Sequence, residues 1–522
     1  MSDTKEVLDL VQEEKTLVDV TPKLERFWVF YPHILKLNTL LVGAILAQIV
    51  SGFDGSMMNG LQSLVPWQQF FDHPTGGRLG TMSNGVTIGT LIAVPFASLM
   101  TDAIGRRFTI IVGCIIIVIG AILQGAAQNF SMFIGARILL GVGGCWASTA
   151  AGPLLAECAY PTQRPTVSAF LLASWPLGSF VAALVTWGPY RSDLKTSNWS
   201  WRIPSLLQGF FPLLQILLAF LGPESPRYLI SKGREDEARA FFTKYHAAGD
   251  SEHPVVKFQM AEITAALELE KNDTLSLKNY LAWFKTKAMR HRLFICIVVP
   301  AFQQLSGNAI ISYYLTLILN SIGITDSLTQ LKINIGMTTV SLTADVISAI
   351  VVSAYRRRRL FLTGYTSMLL VYIVFTVLSA ENQRKNFTDH SLASGVVAMI
   401  FVYQIAYHIA APIAIAYIME VCPYNQRATG SMLYQLSANV VGTFNNYVNP
   451  IAMAAINWRY YIVWICQLVF QISIVYFVFP ETAGKDLEDI AEVFGEVGAR
   501  RAIANSAGLT EKMEAIEHVE SV

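Results

Sequence analysis

The sequence predicts an all-α membrane protein of twelve transmembrane helices arranged as two six-helix bundles. Three observations predict it. Of 522 residues, 53% are hydrophobic and only 14% charged, with a mean hydropathy of +0.44, whereas a soluble domain carries about a quarter charged residues. Apolar runs long enough to cross a bilayer, about 20 residues each, recur along the whole chain. One pattern also occurs twice, about half a chain apart: Glu157 and Arg164 return as Glu420 and Arg427, Pro223-Glu224-Ser225 as Pro480-Glu481-Thr482, and Arg106-Arg107 as Arg357-Arg358. A near-constant offset marks a duplicated unit, and repeated membrane halves are the architecture of a moving interface.

The elements follow in order. Residues 1–37 are polar and acidic with no early apolar core, so no cleavable signal peptide is expected and the first span serves as the insertion signal. Spans at 38–58, 81–101, 108–126, 131–155, 166–187 and 203–222 form an N-terminal bundle over 38–222. A charged linker occupies 223–292, in which Arg234–Arg239 and Ala261–Lys271 read as short surface helices. Spans at 293–318, 331–354, 360–379, 394–419, 430–452 and 459–479 form the second bundle over 293–479, and 480–522 is a polar tail.

Lysines and arginines of the short loops divide evenly between the two faces, so the linker decides orientation. Its ends are dense in basic residues such as Arg227, Lys232, Arg234, Lys285, Lys287 and Arg290. Positive-inside reasoning places the linker and both tails in the cytosol, and an even number of spans makes that consistent. A plasma-membrane, monomeric protein is expected. The sequons at Asn198 and Asn386 then fall outside, where glycosylation reaches them; a third, at Asn129, lies too close to the bilayer.

The net charge of +1 points to no nucleic-acid partner. Six cysteines show no C-x-x-C spacing, so neither zinc nor a disulfide framework is expected. No nucleophile elbow, phosphate loop, haem motif or metal-ligand spacing occurs, and the chain does not read as an enzyme or as a cofactor binder.

Two charges stand inside apolar surroundings at similar depth: Asp54 in Ser51-Gly52-Phe53-Asp54-Gly55, and Arg137 in the fourth span. An isolated charge at mid-bilayer costs about 2.5–3.5 kcal/mol, so such residues are paired and functional by default. A carboxylate that alternates between pairing with Arg137 and holding a proton would couple proton movement to conformation; the alternative is a fixed structural ion pair. Gly52 and Gly55 would let the helix bend. Asp345 is a further intramembrane acid, either the proton site in place of Asp54 or a structural group facing a cavity.

At the linker side, Asp102, Gly105, Arg106 and Arg107 lie between the second and third spans, with Glu157 and Glu224 as partner acids. Their recurrence in both halves reads as a two-state latch that closes the cytosolic side; the alternative is topology-setting charge. Amides and tyrosines cluster in the seventh span (Gln303, Gln304, Asn308, Ser312, Tyr313), the tenth (Gln404, Tyr407, His408) and the eleventh (Asn439, Asn445). Such groups suit a polyhydroxylated ligand or serve as interhelical glue. His408, alone on an apolar helix, reads as a buried histidine.

Taken together, Asp102-x-x-Gly105-Arg106-Arg107, Arg137, Glu157…Arg164, Pro223-Glu224-Ser225-Pro226-Arg227, Gln303-Gln304-Leu305-Ser306-Gly307, Glu420…Arg427 and Pro480-Glu481-Thr482 resemble the sugar porter family of the major facilitator superfamily, over about 38–490. Gly52 to Gly60, Trp199 to Gln208 and Phe444 to Pro450 resemble its fungal lactose and cellodextrin permease branch. The resemblance implies the major facilitator fold, a central sugar site and alternating access. It further implies that Asp54 and Arg137 match the symporters' proton-coupling pair, and that Gln303 and Gln304 match sugar-binding glutamines; Asn308, Tyr313 and Asn445 are further candidate sugar contacts from their place among the clustered polar groups. The chain departs from the family at Ser353 and Arg356, where Asp and Gly are expected, which weakens the C-terminal latch of Glu420, Arg427 and Glu481. Leu172, Ala309 and Ile415 replace residues of the hexose pocket. The sequence therefore leads to proton-coupled transport of a disaccharide or other small glycoside, with an uncoupled facilitator and a transporter-like sugar sensor as rivals.

Overall fold

The computed structural model describes residues 17, 21–22, 24–272, 282–351, 355–423, 426–483, 490 and 493–494. All regular structure among them is helical. The N-terminal half holds Pro32–Gln62, Gly76–Ile104, Arg106–Gly125 and Phe130–Cys158 as continuous spans, then two interrupted ones, Arg164–Ala173 with Trp175–Tyr190 and Trp199–Leu207 with Phe210–Leu221. The C-terminal half opens with a span in three pieces, Lys287–Gln304, Asn308–Tyr313 and Leu315–Ser321. Ser327–Val351, Arg357–Arg384, the broken pair His390–Ala410 and Ile413–Val421, Arg427–Ile456 and Tyr460–Val478 complete it.

Eight stretches among the described residues are each long and apolar enough to cross a membrane, one of them, Thr429–Val478, holding two spans. The fifth, seventh and eighth spans are absent from that set for physical reasons. The longest unbroken pieces of the fifth and seventh are Trp175–Tyr190, only 16 residues, and Lys287–Gln304, which opens with Lys287, Arg290 and Arg292. The eighth carries Gln330, Asn334, Thr338 and Ser341 as buried polar groups. Interrupted or polar membrane helices persist only where protein or a cavity satisfies their backbone and side chains.

Glycines set how closely the helices approach, and thereby where Asp54 sits. The first span runs through Gly52 as one continuous helix. A Cβ at Gly52 would lie 1.9 Å from the Trp175 carbonyl, and one at Gly178 would lie 2.0 Å from the Ile49 carbonyl. The first and fifth spans therefore cross backbone to backbone, as small residues permit in membranes.

The named hydrogen bonds between the two halves gather at one end. Calling the side that carries helices Pro226–Ser231, Glu235–Tyr245 and Pro254–Asn272 the linker face, the contacts lie toward the far face. Asn59 Nδ2 donates to Asn334 Oδ1 at 3.3 Å, and Gln62 Nε2 to the Tyr313 carbonyl at 2.9 Å. The Ser63 and Thr316 hydroxyls are 2.8 Å apart, and Asn84 Nδ2 donates to the Thr443 carbonyl at 2.8 Å. One apolar cluster runs through the same end, joining Met57, Leu61 and Trp67 to Leu315, Ile318 and Leu331. A second cluster seats the linker helices on the N-terminal half through Phe241, Phe242, Val255 and Val256. His246 locks that seat: Nδ1 is 2.7 Å from Gln259 Oε1 and Nε2 is 3.3 Å from the Cys158 carbonyl.

Candidate functional site

Asp54 and Arg137 meet. Arg137 Nη1 lies 3.4 Å from Asp54 Oδ1, with both side chains nearly enclosed. The carboxylate has a second partner that sequence reasoning did not single out. Gln208 Nε2 donates to the same Oδ1 at 2.7 Å. Gln208 stands where the sixth span breaks, and it is 2% exposed. The guanidinium contact is long and the amide contact short, so the amide is the tighter restraint on the acid.

This group heads a cavity of about 300 Å³ lined by Asp54, Gln208, Tyr313, Ser51, Thr90 and Ser148, with Gln435 and Asn439 reaching in from the eleventh span. That volume is at the lower end of what small-molecule sites occupy, about 300–1,000 Å³. A smaller polar void of about 40 Å³ lies between the halves, walled by Gly55, Ser56 and Trp175 on one side and by Asn308, Ser312 and His408 on the other. His408 is not alone: its Nδ1 is 2.8 Å from Asp345 Oδ1. The pairing joins the eighth and tenth spans, and no spacing in the sequence announces it.

The seventh-span amides divide. Asn308 lines the small void, its Oδ1 accepting from the Ser312 hydroxyl at 2.9 Å. Gln303 donates to the Ala411 carbonyl at 2.8 Å and accepts from the Tyr434 hydroxyl at 2.6 Å. Asn445 donates to the Gln304 carbonyl at 2.6 Å. In this conformation Gln303, Gln304 and Asn445 line neither cavity; Gln303 and Asn445 instead bind the seventh span to the tenth and eleventh. Tyr313 lines the larger cavity, and its carbonyl belongs to the far-face seam.

The charged groups of the linker face form two matching nests. Glu224 Oε1 accepts from the backbone N–H groups of Arg106, Arg107 and Ser225 at 3.0, 3.1 and 2.9 Å. It thereby caps the third span at its positive end. Burial pushes the Glu224 carboxyl up from its ordinary value, while those N–H donors and Arg106 pull the other way. Arg106 reaches Glu157 at 3.4 Å and Asp102 at 3.7 Å, and the Ser225 hydroxyl donates to Glu157. Gly105 is required here: its φ is +93°, and a Cβ would lie 2.5 Å from Glu224 Oε2. Arg164 Nε donates to the Ala159 carbonyl at 3.4 Å, and Arg227 lies in the helix Pro226–Ser231.

The second nest repeats the first. Glu481 accepts from the N–H groups of Arg357 and Arg358 at 2.9 and 3.3 Å. Arg357 pairs with Glu420 at 3.1 Å, and the Thr482 hydroxyl donates to Glu420 at 2.6 Å. Arg427 starts the eleventh span. The substitutions at 353 and 356 were expected to weaken this nest. Ser353 lies outside the described residues, and the contacts of Arg357 form with Arg356 in extended backbone. In both nests the acids and bases named here belong to one half, so they tie helices within a half rather than one half to the other.

Asn198 and Asn386 are exposed at the far face, and Ser200 of the first sequon is fully buried.

The family model described as "Sugar (and other) transporter" matches residues 40–494. The chain belongs to this family. It is a multi-pass membrane transporter of sugar porter type and not an enzyme. Hexose transporter 2 of Kluyveromyces lactis is 29% identical over 429 residues, which is 80% of this chain and 74% of the relative. A low-affinity glucose transporter of Saccharomyces cerevisiae is 28% identical over 430 residues, 80% of this chain and 73% of the relative. Among solved structures, the inward open conformation of the E. coli xylose transporter XylE superposes with a TM-score of 0.71 at 19% identity, covering 88% of this chain and 99% of that one. The fold is thus the all-helical major facilitator fold of twelve membrane helices in two bundles.

Proposed function

We propose that this family member is a proton–sugar symporter that works by alternating access. It acts as a monomer in the plasma membrane, with both tails and the linker cytosolic and Asn198 and Asn386 outside. The observation that carries the reading is the Asp54–Arg137–Gln208 group, a carboxylate held by one cation and one amide at the head of a polar cavity. Protonating Asp54 removes the charge that both partners hold, which loosens the first, fourth and sixth spans together. Sugar would occupy the larger cavity against Tyr313, Gln435 and Asn439, with Asn308 at its inner neighbour. Gln303, Gln304 and Asn445 would reach it only after the halves rearrange. The linker-face nests act as the cytosolic gate by holding each half rigid while the halves rock.

The cargo is a neutral small sugar. The resemblance to lactose and cellodextrin permeases favours a disaccharide, whereas relatives at 27–29% identity are named for hexoses and glucose. Uptake of labelled glucose, xylose, lactose and cellobiose by a transporter-deleted host, with external pH recorded, separates these. Asp54→Asn should abolish uphill accumulation and leave exchange of sugar for sugar. Unchanged uphill uptake by that variant removes Asp54 from the mechanism. The second reading, an uncoupled facilitator in which Asp54–Arg137 is structural, is favoured by the near-complete enclosure of that pair and requires uptake insensitive to an uncoupler.

A further inference from the structure

The small void between the halves holds polar groups that the protein leaves unanswered. The Ser56 hydroxyl is 5% exposed at the residue level and has no hydrogen-bond partner. Across the void stands His408, whose Nδ1 is engaged by Asp345 at 2.8 Å and whose side chain keeps 10% of its surface open. The carboxylate engages Nδ1 and leaves Nε2 as the ring's uncommitted nitrogen, and no hydrogen bond to Nε2 occurs among the described residues. Asn308 and Ser312 flank it from the seventh span, and Trp175 supplies an aromatic wall from the N-terminal half. Buried polar groups are normally satisfied, and a hydroxyl of an entering solute would supply the partner that Ser56 lacks.

We propose that His408 is a substrate-contacting, specificity-determining residue, and that Asp345 is the residue that positions it. The free Nε2 hydrogen-bonds one sugar hydroxyl, and Ser56 bonds a second hydroxyl from the opposite half. The substrate class is a neutral polyhydroxylated solute, so this proposal rests on the sugar-transport reading above. At about 40 Å³ the void holds water but not a sugar. It is what remains of the site when the far-face seam is shut, and it widens as Ser56 and His408 separate with their halves. A single ligand touching both thus senses whether the halves are together.

The test uses tritiated D-glucose and cellobiose with the full-length protein in proteoliposomes, alongside sugar-dependent tryptophan fluorescence of the purified protein. His408→Ala should raise KM by about tenfold, the cost of one hydrogen bond in a water-poor site, with Vmax and membrane abundance near those of the parent. Asp345→Ala should raise KM to a similar degree, and Asp345→Asn, whose amide oxygen still accepts from Nδ1–H, should restore most of it. The double variant His408→Ala/Asp345→Ala should be no worse than His408→Ala alone. Trp175→Phe should remove most of the sugar-dependent fluorescence change. An unchanged KM in a well-expressed His408→Ala overturns the proposal. So does loss of Vmax and abundance together in Asp345→Ala without rescue by Asp345→Asn, which would mark the pair as structural. A parent protein whose fluorescence responds to neither sugar overturns it as well. Sugar binding without proton-driven accumulation would instead sink symport and leave the His408 assignment standing.

Discussion

At the scale of single residues, the decisive geometry is that Asp54 is shared. Its Oδ1 takes the Gln208 amide at 2.7 Å and the Arg137 guanidinium at 3.4 Å. A hydrogen bond to a charged group contributes about 1.5–3 kcal/mol, so Gln208→Leu should cut proton-driven accumulation by about tenfold while sugar exchange persists. Gln208→Glu, which places a like charge beside the acid, should be more severe. Accumulation in the Gln208→Leu variant equal to the parent's would show that Arg137 alone suffices. Asp54 and Arg137 were legible in the sequence because a charge in an apolar run is rare enough to demand a reason. Gln208 was not, because a lone amide in a membrane helix usually has another amide or a carbonyl as its partner. Gln303 illustrates that: its amide is committed to Ala411 and Tyr434. The partnership of His408 with Asp345 was hidden for a different reason, since it depends on how two helices are rotated about their axes.

At the scale of elements, the two nests show a duplicated sequence reproduced as duplicated geometry. The positions legible as pairs, Arg106 with Arg357, Glu157 with Glu420 and Glu224 with Glu481, make the same contacts in each half. What the sequence did not reveal is that each set closes upon its own bundle. Gly105→Ala should destabilise the start of the third span by about 1–3 kcal/mol, since it combines left-handed backbone with a clash against Glu224. Thermal melting in detergent reads this, and Ala tolerated without loss would mean that the loop relaxes. The linker helices respond to acid through His246. Burial pushes its imidazole down to about 4 from the ordinary 6.5. The undocked ring therefore takes up a proton at a higher pH than the docked ring does. Docking is at full strength above about pH 6.5 and weakens as pH falls toward about 4, by a total of about 3 kcal/mol. Hydrogen exchange of residues 226–272 should accelerate between pH 7 and pH 5 beyond the intrinsic chemistry, and His246→Gln should flatten that dependence. An acceleration retained in His246→Gln would assign it to another group.

At the scale of the whole molecule, the hydrogen bonds that join the two halves lie toward the far face, and a polar cavity headed by Asp54 draws its lining from both halves. The twelve-span count came from apolar runs and an internal repeat. Those signals are weakest for the fifth, seventh and eighth spans, whose breaks and buried polar residues lie on one part of the surface along which the halves meet. The second and eleventh spans meet there too, through Asn84 and Thr443, and both are apolar enough to be read as spans. Replacing Asn59 and Asn334 by cysteines and bridging them with a short bismaleimide should hold the far face shut and stop net uptake. Reversing the link with a cleavable reagent should restore it. Continued uptake through the bridged protein would mean that the far-face seam does not part during transport.

The polar contacts of the seam are carboxamides, hydroxyls and main-chain carbonyls, with no ion pair among those named. Each bond broken on opening is exchanged for one to water at a net cost of about 0.5–1.5 kcal/mol, and parting the apolar cluster of Met57, Leu61 and Trp67 with Leu315, Ile318 and Leu331 adds a hydrophobic cost. Electrolyte in the surrounding medium screens charges and finds none in that seam to screen. A cell moved from dilute to briny surroundings would keep the same opening equilibrium at this gate, and any salt effect on transport would have to arise elsewhere in the protein.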